Sequence, residues 1–319
     1  MKQSRRDFIR SASALSAGAM ISPQLLSGPK LPDAGPDPIC VFTKCLQFLD
    51  YPELGETLAA VGFSGADLSV RNGGHVLPEN VKTDLPRAVK ALRKAGVSVP
   101  MMVTGITGTE DPHTEALIAA AADLGIGYYR MGYMSYDPEK SLPDSLDAHK
   151  KRFEKLEKLN RKYGICGCYQ NHSGPRVGGP VWDLHRLVDG FDPEYIGIQY
   201  DIRHAVAEGG LSWPLGMKLL APWIRNTAIK DFIWKEVEGK WKIYNVPLGE
   251  GMIEYDAYLE EYVDLGISGP VTIHYEYELG GAEKGSRNPT MSLEDISEFM
   301  ITDLKWLKDK FDKYKIKYI

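Results

Sequence analysis

From Ile39 onward, short runs rich in β-branched, aromatic and small residues alternate with longer stretches whose apolar positions recur at helical spacing. The runs predict eight strands, over residues 39–43, 65–70, 97–104, 127–131, 165–171, 196–201, 226–232 and 270–277. Helices are expected over 53–61, 85–95, 114–124, 145–163, 181–188, 255–265 and 293–313. Gly96, Gly125, Gly164 and Gly266 each stand between a helical stretch and the next strand, where a left-handed cap returns the chain toward the sheet. Strand–helix alternation implies parallel strands joined by right-handed crossovers. Eight such units predict an α/β protein with a single closed (β/α)8 TIM barrel. An open doubly wound sheet is the competitor, but no G-x-G-x-x-G follows an early strand. Residues 234–247 read as a small hairpin turning at Glu238-Gly239, inserted after strand seven.

A chain of 319 residues that is 43% hydrophobic is long enough for one such barrel, which takes about 250 residues. A net charge of −5 gives no footprint for nucleic acid, and no apolar run reaches the ~18 residues of a stable membrane span. Residues 1–30 stand apart. Ser4-Arg5-Arg6-Asp7-Phe8-Ile9 precedes a short, small-residue apolar stretch, the build of an export signal, and the paired arginines resemble a twin-arginine address. The sequence therefore predicts a twin-arginine-type signal and linker over 1–30, a barrel over 31–319, and a periplasmic or exported location. Cys40 and Cys45 join Cys166 and Cys168, which lie two apart on one strand face. That pair is poorly placed to bridge, and buried free thiols are expected.

In a parallel barrel the loops after the strands carry the active site, and here polar residues collect at the strand ends. Strand two ends in Ser69-Val70-Arg71 with His75 beyond it, and strand four in Tyr129-Arg130-Met131. Strand five ends in Tyr169-Gln170-Asn171-His172, six in Asp201-Ile202-Arg203-His204, seven in Lys230-Asp231 and eight in His274-Tyr275-Glu276-Tyr277-Glu278. Side chains alternate along a strand. Gln170 and His172 therefore share a face, as do Ala228 and Lys230, and as do His274, Glu276 and Glu278.

At these residues the chain resembles the xylose-isomerase-like sugar isomerase/epimerase superfamily, which includes the ketose 3-epimerases. The matching elements are D-x-x-H at Asp201–His204, x-K-D at Ala228–Asp231, V-P-L-G-E-G at Val246–Gly251, and Glu276. The resemblance implies a small carbohydrate substrate and proton transfer beside a carbonyl through an enediolate-like intermediate. It also implies a divalent metal ion (Mn, Mg or Zn) held by a strand-five Glu, the strand-six Asp, a strand-seven His and the strand-eight Glu. Two of these positions differ, being Gln170 and Ala228.

Three expectations follow. The metal is kept by Gln170, Asp201 and Glu276, with His172 or His204 as base. Alternatively the Lys230 ammonium takes the cation's place, or the barrel only binds sugar. The catalytic candidates are His172, His204, Lys230 and Glu276. Arg71, Arg130, His75, Trp213 and Glu278 are candidates for substrate contact, the arginines for an anionic group and the aromatic ring for a sugar face. A lyase or hydratase acting on a keto-glycoside is the competing reaction, because it needs only one base. A homodimer is left open.

Overall fold

The structure, a computed structural model, describes residues 36–319; the expected export signal over 1–30 lies outside them. Eight parallel strands close on themselves in the order β1 (Ile39–Phe42), β10 (Val271–Ile273), β7 (Ile224–Ile229), β6 (Ile196–Asp201), β5 (Cys166–Gln170), β4 (Tyr128–Arg130), β3 (Ser98–Val103) and β2 (Gly65–Ser69). Parallel pairing buries both faces of every strand, which is why their apolar runs are nearly continuous.

The outer layer is built by α1 (Tyr51–Val61), α2 (Val81–Lys94), α3 (Thr114–Asp123), α4 (Leu142–Tyr163), α5 (Val181–Val188), α6 (Ile202–Gly209), α7 (Trp213–Leu220), α8 (Tyr255–Asp264) and α9 (Leu293–Tyr314). Helix starts are written locally. Asp50 and Glu53 form a reciprocal capping box at α1, and Ser141 and Ser292 cap α4 and α9. The glycines expected to turn helices into strands do adopt positive φ, at 84° for Gly96, 70° for Gly125, 67° for Gly164 and 63° for Gly266.

Three differences from the sequence reading bear on the site. Helices α6 and α7 follow β6 directly where no helix was expected. Asp201 ends the strand and also caps α6, its side chain accepting from the His204 amide, so strand and helix share a residue. Strand seven stops at Ile229, and Lys230 separates it from an antiparallel hairpin of β8 (Asp231–Val237) and β9 (Lys240–Val246). That hairpin begins three residues earlier than expected and turns at Glu238 and Gly239, with φ of 54° and 72°. Finally, β10 keeps only three residues of strand geometry, and His274–Glu278 leave the ladder as the mouth of the barrel.

The four cysteines are buried and unbonded, as expected. Cys166 Sγ and Cys168 Sγ lie 3.8 Å apart on the same face.

Candidate active site

Ladder register fixes which side chains enter the barrel. Arg130 pairs with Cys168, Gln170 with Gln199, Asp201 with Ala228, and Ala228 with Thr272. Paired residues of parallel strands point the same way, so these form the lumen, while Ile198, Tyr200, Ile229 and Ile273 belong to the apolar core. Bulky branched side chains usually fill such a lumen. Here it is polar: Asp67, Arg130, Gln170, Gln199, Asp201, Asn226, Lys230, Thr272 and His274 are all buried.

Lys230 is the centre of this set. Its Nζ lies 3.1 Å from Asp201 Oδ2, 3.1 Å from Glu276 Oε2 and 2.8 Å from His204 Nε2. The side chain is only 3% exposed, so its charge needs the two carboxylates as partners. Its position is secured from behind, where the Tyr255 hydroxyl donates to the Lys230 carbonyl at 2.9 Å.

Asp201 is held on every side. The Asn171 side chain clamps its backbone, donating to the carbonyl and accepting from the amide, both at 2.8 Å. Its Oδ1 accepts from the His204 amide at 3.1 Å and its Oδ2 from Gln170 Nε2 at 2.8 Å. Burial pushes this carboxyl above its ordinary range, and Lys230 only partly offsets that. Three donors aim at it and none asks for a proton in return, so the ionised form is the one the geometry supports. Glu276 is more open, at 23% exposed. Burial raises its carboxyl, but Lys230 and then Lys44, 3.9 Å from Oε1, more than offset this and hold it below the ordinary range.

The two histidines differ. Their rings stack with centroids 3.9 Å apart. His204 is buried, flanked by Lys230 at Nε2 and by Arg203 Nη1 and Ser173 Oγ at Nδ1, 2.8 and 2.9 Å away. Burial and then Lys230 hold it well below its usual range, and neither nitrogen is free to take a proton from a substrate. His172 Nδ1 donates to the Ser173 carbonyl at 2.9 Å, which leaves the lone pair on Nε2. Nε2 has no hydrogen-bond partner among the described residues. The Tyr133 and His172 rings meet in a T-shaped contact with centroids 4.7 Å apart. Burial first, then Lys230, bring this imidazole down to about 4, so it is neutral at physiological pH.

The expected metal set does not fit this arrangement. Arg130 can only donate, so Gln170 must turn its oxygen toward Arg130 Nη1, at 2.9 Å, and toward the Tyr133 hydroxyl, at 2.6 Å. Its NH2 then faces Asp201, where a donor repels a cation. Ala228 offers no donor atom, and an ammonium already fills the space between Asp201 and Glu276. Among the described residues no trio of His, Cys, Asp or Glu is arranged to hold a metal ion. Gln170, Asp201 and Glu276 as arranged therefore do not fit the expected divalent metal, on the chemistry of the donors.

Of the remaining candidates, Arg130 is in the site, and half-buried Arg71 stands at its rim, 5.3 Å from the Phe42 ring centre. Three others are placed elsewhere. Both His75 nitrogens are engaged, with Thr43 Oγ1 and the Leu46 carbonyl, making it a brace between the first two strand ends. Trp213 packs against Tyr258 in the helix layer, and its carbonyl accepts from the Tyr200 hydroxyl. Glu278 is exposed, and no ion pair joins it to the site among the described residues.

Asp231 accepts from the amides of Phe232, Gly249, Gly251 and Ile253, so the V-P-L-G-E-G element is a backbone knot around a carboxylate.

Several members of the site were not among the expected residues. Arg203 Nη2 donates to Asn245 Oδ1 at 2.7 Å, and Asn245 Nδ2 donates to the Glu276 carbonyl at 3.1 Å. This sews the β8–β9 hairpin to the mouth. Tyr133, Ser173 and Lys44 complete the set. A cavity of about 320 Å³ lined by Thr107, Tyr133, Ser135, His149 and Arg152 meets the site through Tyr133.

No curated protein matches the sequence at a significant level. Among solved structures the chain is similar to an L-ribulose 3-epimerase, at 14% identity and a TM-score of 0.66, covering 88% of this chain and 96% of that one. It is also similar to a xylose isomerase domain protein from Planctomyces limnophilus, at 18% identity and TM-score 0.62, covering 88% and 99%. A third is the 3-keto-D-glucoside 4-epimerase from E. coli, at 14% identity and TM-score 0.60, covering 82% and 94%. At such identities the likeness is one of fold. The family model for the xylose isomerase-like TIM barrel matches residues 55–308, and the chain belongs to that family.

Proposed function

We propose that this chain is an exported enzyme that isomerises or epimerises a sugar by moving a proton on a carbon next to a carbonyl. The observation that carries the reading is a buried ammonium, Lys230, fixed between two carboxylates at the catalytic end of the barrel, with the open Nε2 of neutral His172 beside it. When His172 Nε2 takes the proton from carbon, the C–H electron pair passes into the carbonyl and leaves negative charge on its oxygen. Lys230 sets a positive charge beside that oxygen and turns toward it one of the three N–H groups that otherwise face Asp201, Glu276 and His204, and the new imidazolium gains the neighbouring Glu276 carboxylate. Return of that proton from His172 to the neighbouring carbon on the same face completes isomerisation, whereas epimerisation needs in addition a proton donor on the opposite face.

Gln170 favours a second reading. An amide cannot act as a proton acceptor, so the strand-five position supplies no second base, and elimination of a group β to the carbonyl requires only one. Both readings are tested by incubating the purified protein with ketoses and keto-glycosides in deuterated water. Deuterium beside the carbonyl with the skeleton intact supports isomerase or epimerase chemistry, and release of a leaving group supports a lyase. Saturable sugar binding with neither outcome, unchanged by Glu276→Gln, identifies a carbohydrate-binding barrel instead. Export rests on Arg5-Arg6 and the stretch after them, and is tested by fractionating cells that carry Arg5→Lys/Arg6→Lys; retention of the protein inside supports it.

A further inference from the structure

We infer that Lys230 is a tethered replacement for a divalent cation: its ammonium fills the space that Asp201, Glu276 and His204 surround and keeps these three from closing on a metal ion. Three atoms of metal-ligand type, Asp201 Oδ2, Glu276 Oε2 and His204 Nε2, surround Nζ at 3.1, 3.1 and 2.8 Å. These are the separations of an ammonium donating hydrogen bonds. A divalent ion at the same point would draw the same atoms in to about 2.0–2.3 Å, a contraction within reach of side-chain movement. The three ligands come from rigid places: Asp201 ends β6 and is clamped by Asn171, His204 lies in the first turn of α6, and Glu276 follows β10.

Register explains how the lysine reaches this point. Ala228, paired with Asp201 across the ladder, ends in a methyl group and leaves the lumen beside it open. Lys230, two residues on and on the same face, fills that space with a flexible stem. The surroundings are adjusted to a single positive charge. Two carboxylates against one ammonium leave one negative charge over, and Lys44 beside Glu276 supplies the balance. Gln170 donates to the Asp201 oxygen that also binds Lys230, a contact compatible with an ammonium and opposed to a metal ion.

For its catalytic meaning the inference rests on the proposed reading of this mouth as the active site, but its test uses no substrate. Metal content of the full-length purified protein is measured by elemental analysis, and Mn2+ binding by calorimetry, for wild type, Lys230→Ala and Lys230→Ala/Asp201→Asn. Wild type should hold no stoichiometric metal. Lys230→Ala should bind one Mn2+ at least a hundredfold more tightly than wild type, and the added Asp201→Asn should abolish the gain. Removing the lysine leaves two facing carboxylates and threatens folding, so Lys230→Ala/Glu276→Gln, which conserves net charge, serves as a second background and should still bind at least tenfold more tightly than wild type. The inference is overturned by a wild-type protein carrying stoichiometric metal that Asp201→Asn removes, or by folded lysine-less variants whose Mn2+ affinity equals that of wild type.

Discussion

His172 is the residue on which the proposed chemistry turns, and its environment sets a pH signature. Burial and the nearby Lys230 lower its imidazole to about 4 from the ordinary 6.5. The folded state therefore prefers the neutral ring, and this histidine lowers stability as pH falls from about 6.5 through about 4. If Nε2 is the base, the acid limb of kcat/KM falls near pH 4 to 5 rather than near 6.5, and His172→Asn lowers kcat by about 10²–10⁴ with folding intact. A limb at 6.5, or a variant with full activity, removes His172 from the reaction. Asp67 makes the opposite case. It lies deep in the lumen with neither oxygen hydrogen-bonded, and burial raises it to about 7 while Arg130 opposes. A raised carboxyl contributes stability that is complete below the unfolded value near 4 and is lost as pH rises to about 7. The shift corresponds to about 4 kcal/mol as an upper figure. Asp67→Asn should therefore stabilise the protein in urea melts at pH 8 and change little at pH 4; a pH-independent difference would mean that the carboxyl is not protonated in the fold.

Among the elements, the β8–β9 hairpin and the V-P-L-G-E-G loop carry consequences that their sequences only half reveal. The hairpin was legible because Glu238-Gly239 interrupts two polar-apolar runs, yet its contribution to the site was not: Asn245 looks like any strand polar residue until folding sets it between Arg203 and the Glu276 carbonyl. Asn245→Ala should leave the hairpin paired, cost about 1–2 kcal/mol through the two unmatched partners, and lower turnover more than an equally destabilising change elsewhere. The loop's glycine is a steric requirement. A Cβ on Gly251 would collide with the Asp231 carboxylate, around which four amides converge, so Gly251→Ala should cost about 3 kcal/mol. Chemical denaturation checks it: a loss below about 1 kcal/mol would mean that the knot relaxes at no cost. At the turn, Glu238 holds a left-handed conformation that glycine and asparagine adopt more easily. Replacing it should stabilise the protein by a few tenths of a kcal/mol.

For the molecule as a whole, the barrel was readable because its signals are local and repeated: eight short apolar runs, amphipathic helices between them, and glycines that close four of those helices. The site was readable only to the extent that strand parity brings Gln170, Asp201, Lys230 and Glu276 to one face. What parity cannot supply is who holds whom. Gln170 read as a metal ligand, and only the donor-only chemistry of Arg130 across the lumen shows that its oxygen is taken. Trp213 read as a sugar platform because the two helices after Asp201 were unseen, and they carry it into the outer layer. The same long-range assembly creates a property that no single segment has. The chain is net negative, at −5, yet basic groups gather at the mouth: Lys44 beside Glu276, Arg71 and Arg130 near the Phe42 ring, and Arg130 and Arg176 near the Tyr133 ring. Arg130 is committed to Gln170, but no hydrogen bond engages the Arg71 guanidinium among the described residues. Because Asp201 and Glu276 are already balanced by Lys230 and Lys44, the surplus charge favours a sugar bearing a carboxylate. A hexuronate should bind at least tenfold more tightly than the matching neutral hexose, its advantage should shrink as salt rises from 0.05 to about 0.5 M, and Arg71→Ala should remove most of it. Equal affinity for the two sugars at low salt would leave the basic rim without a part in substrate choice.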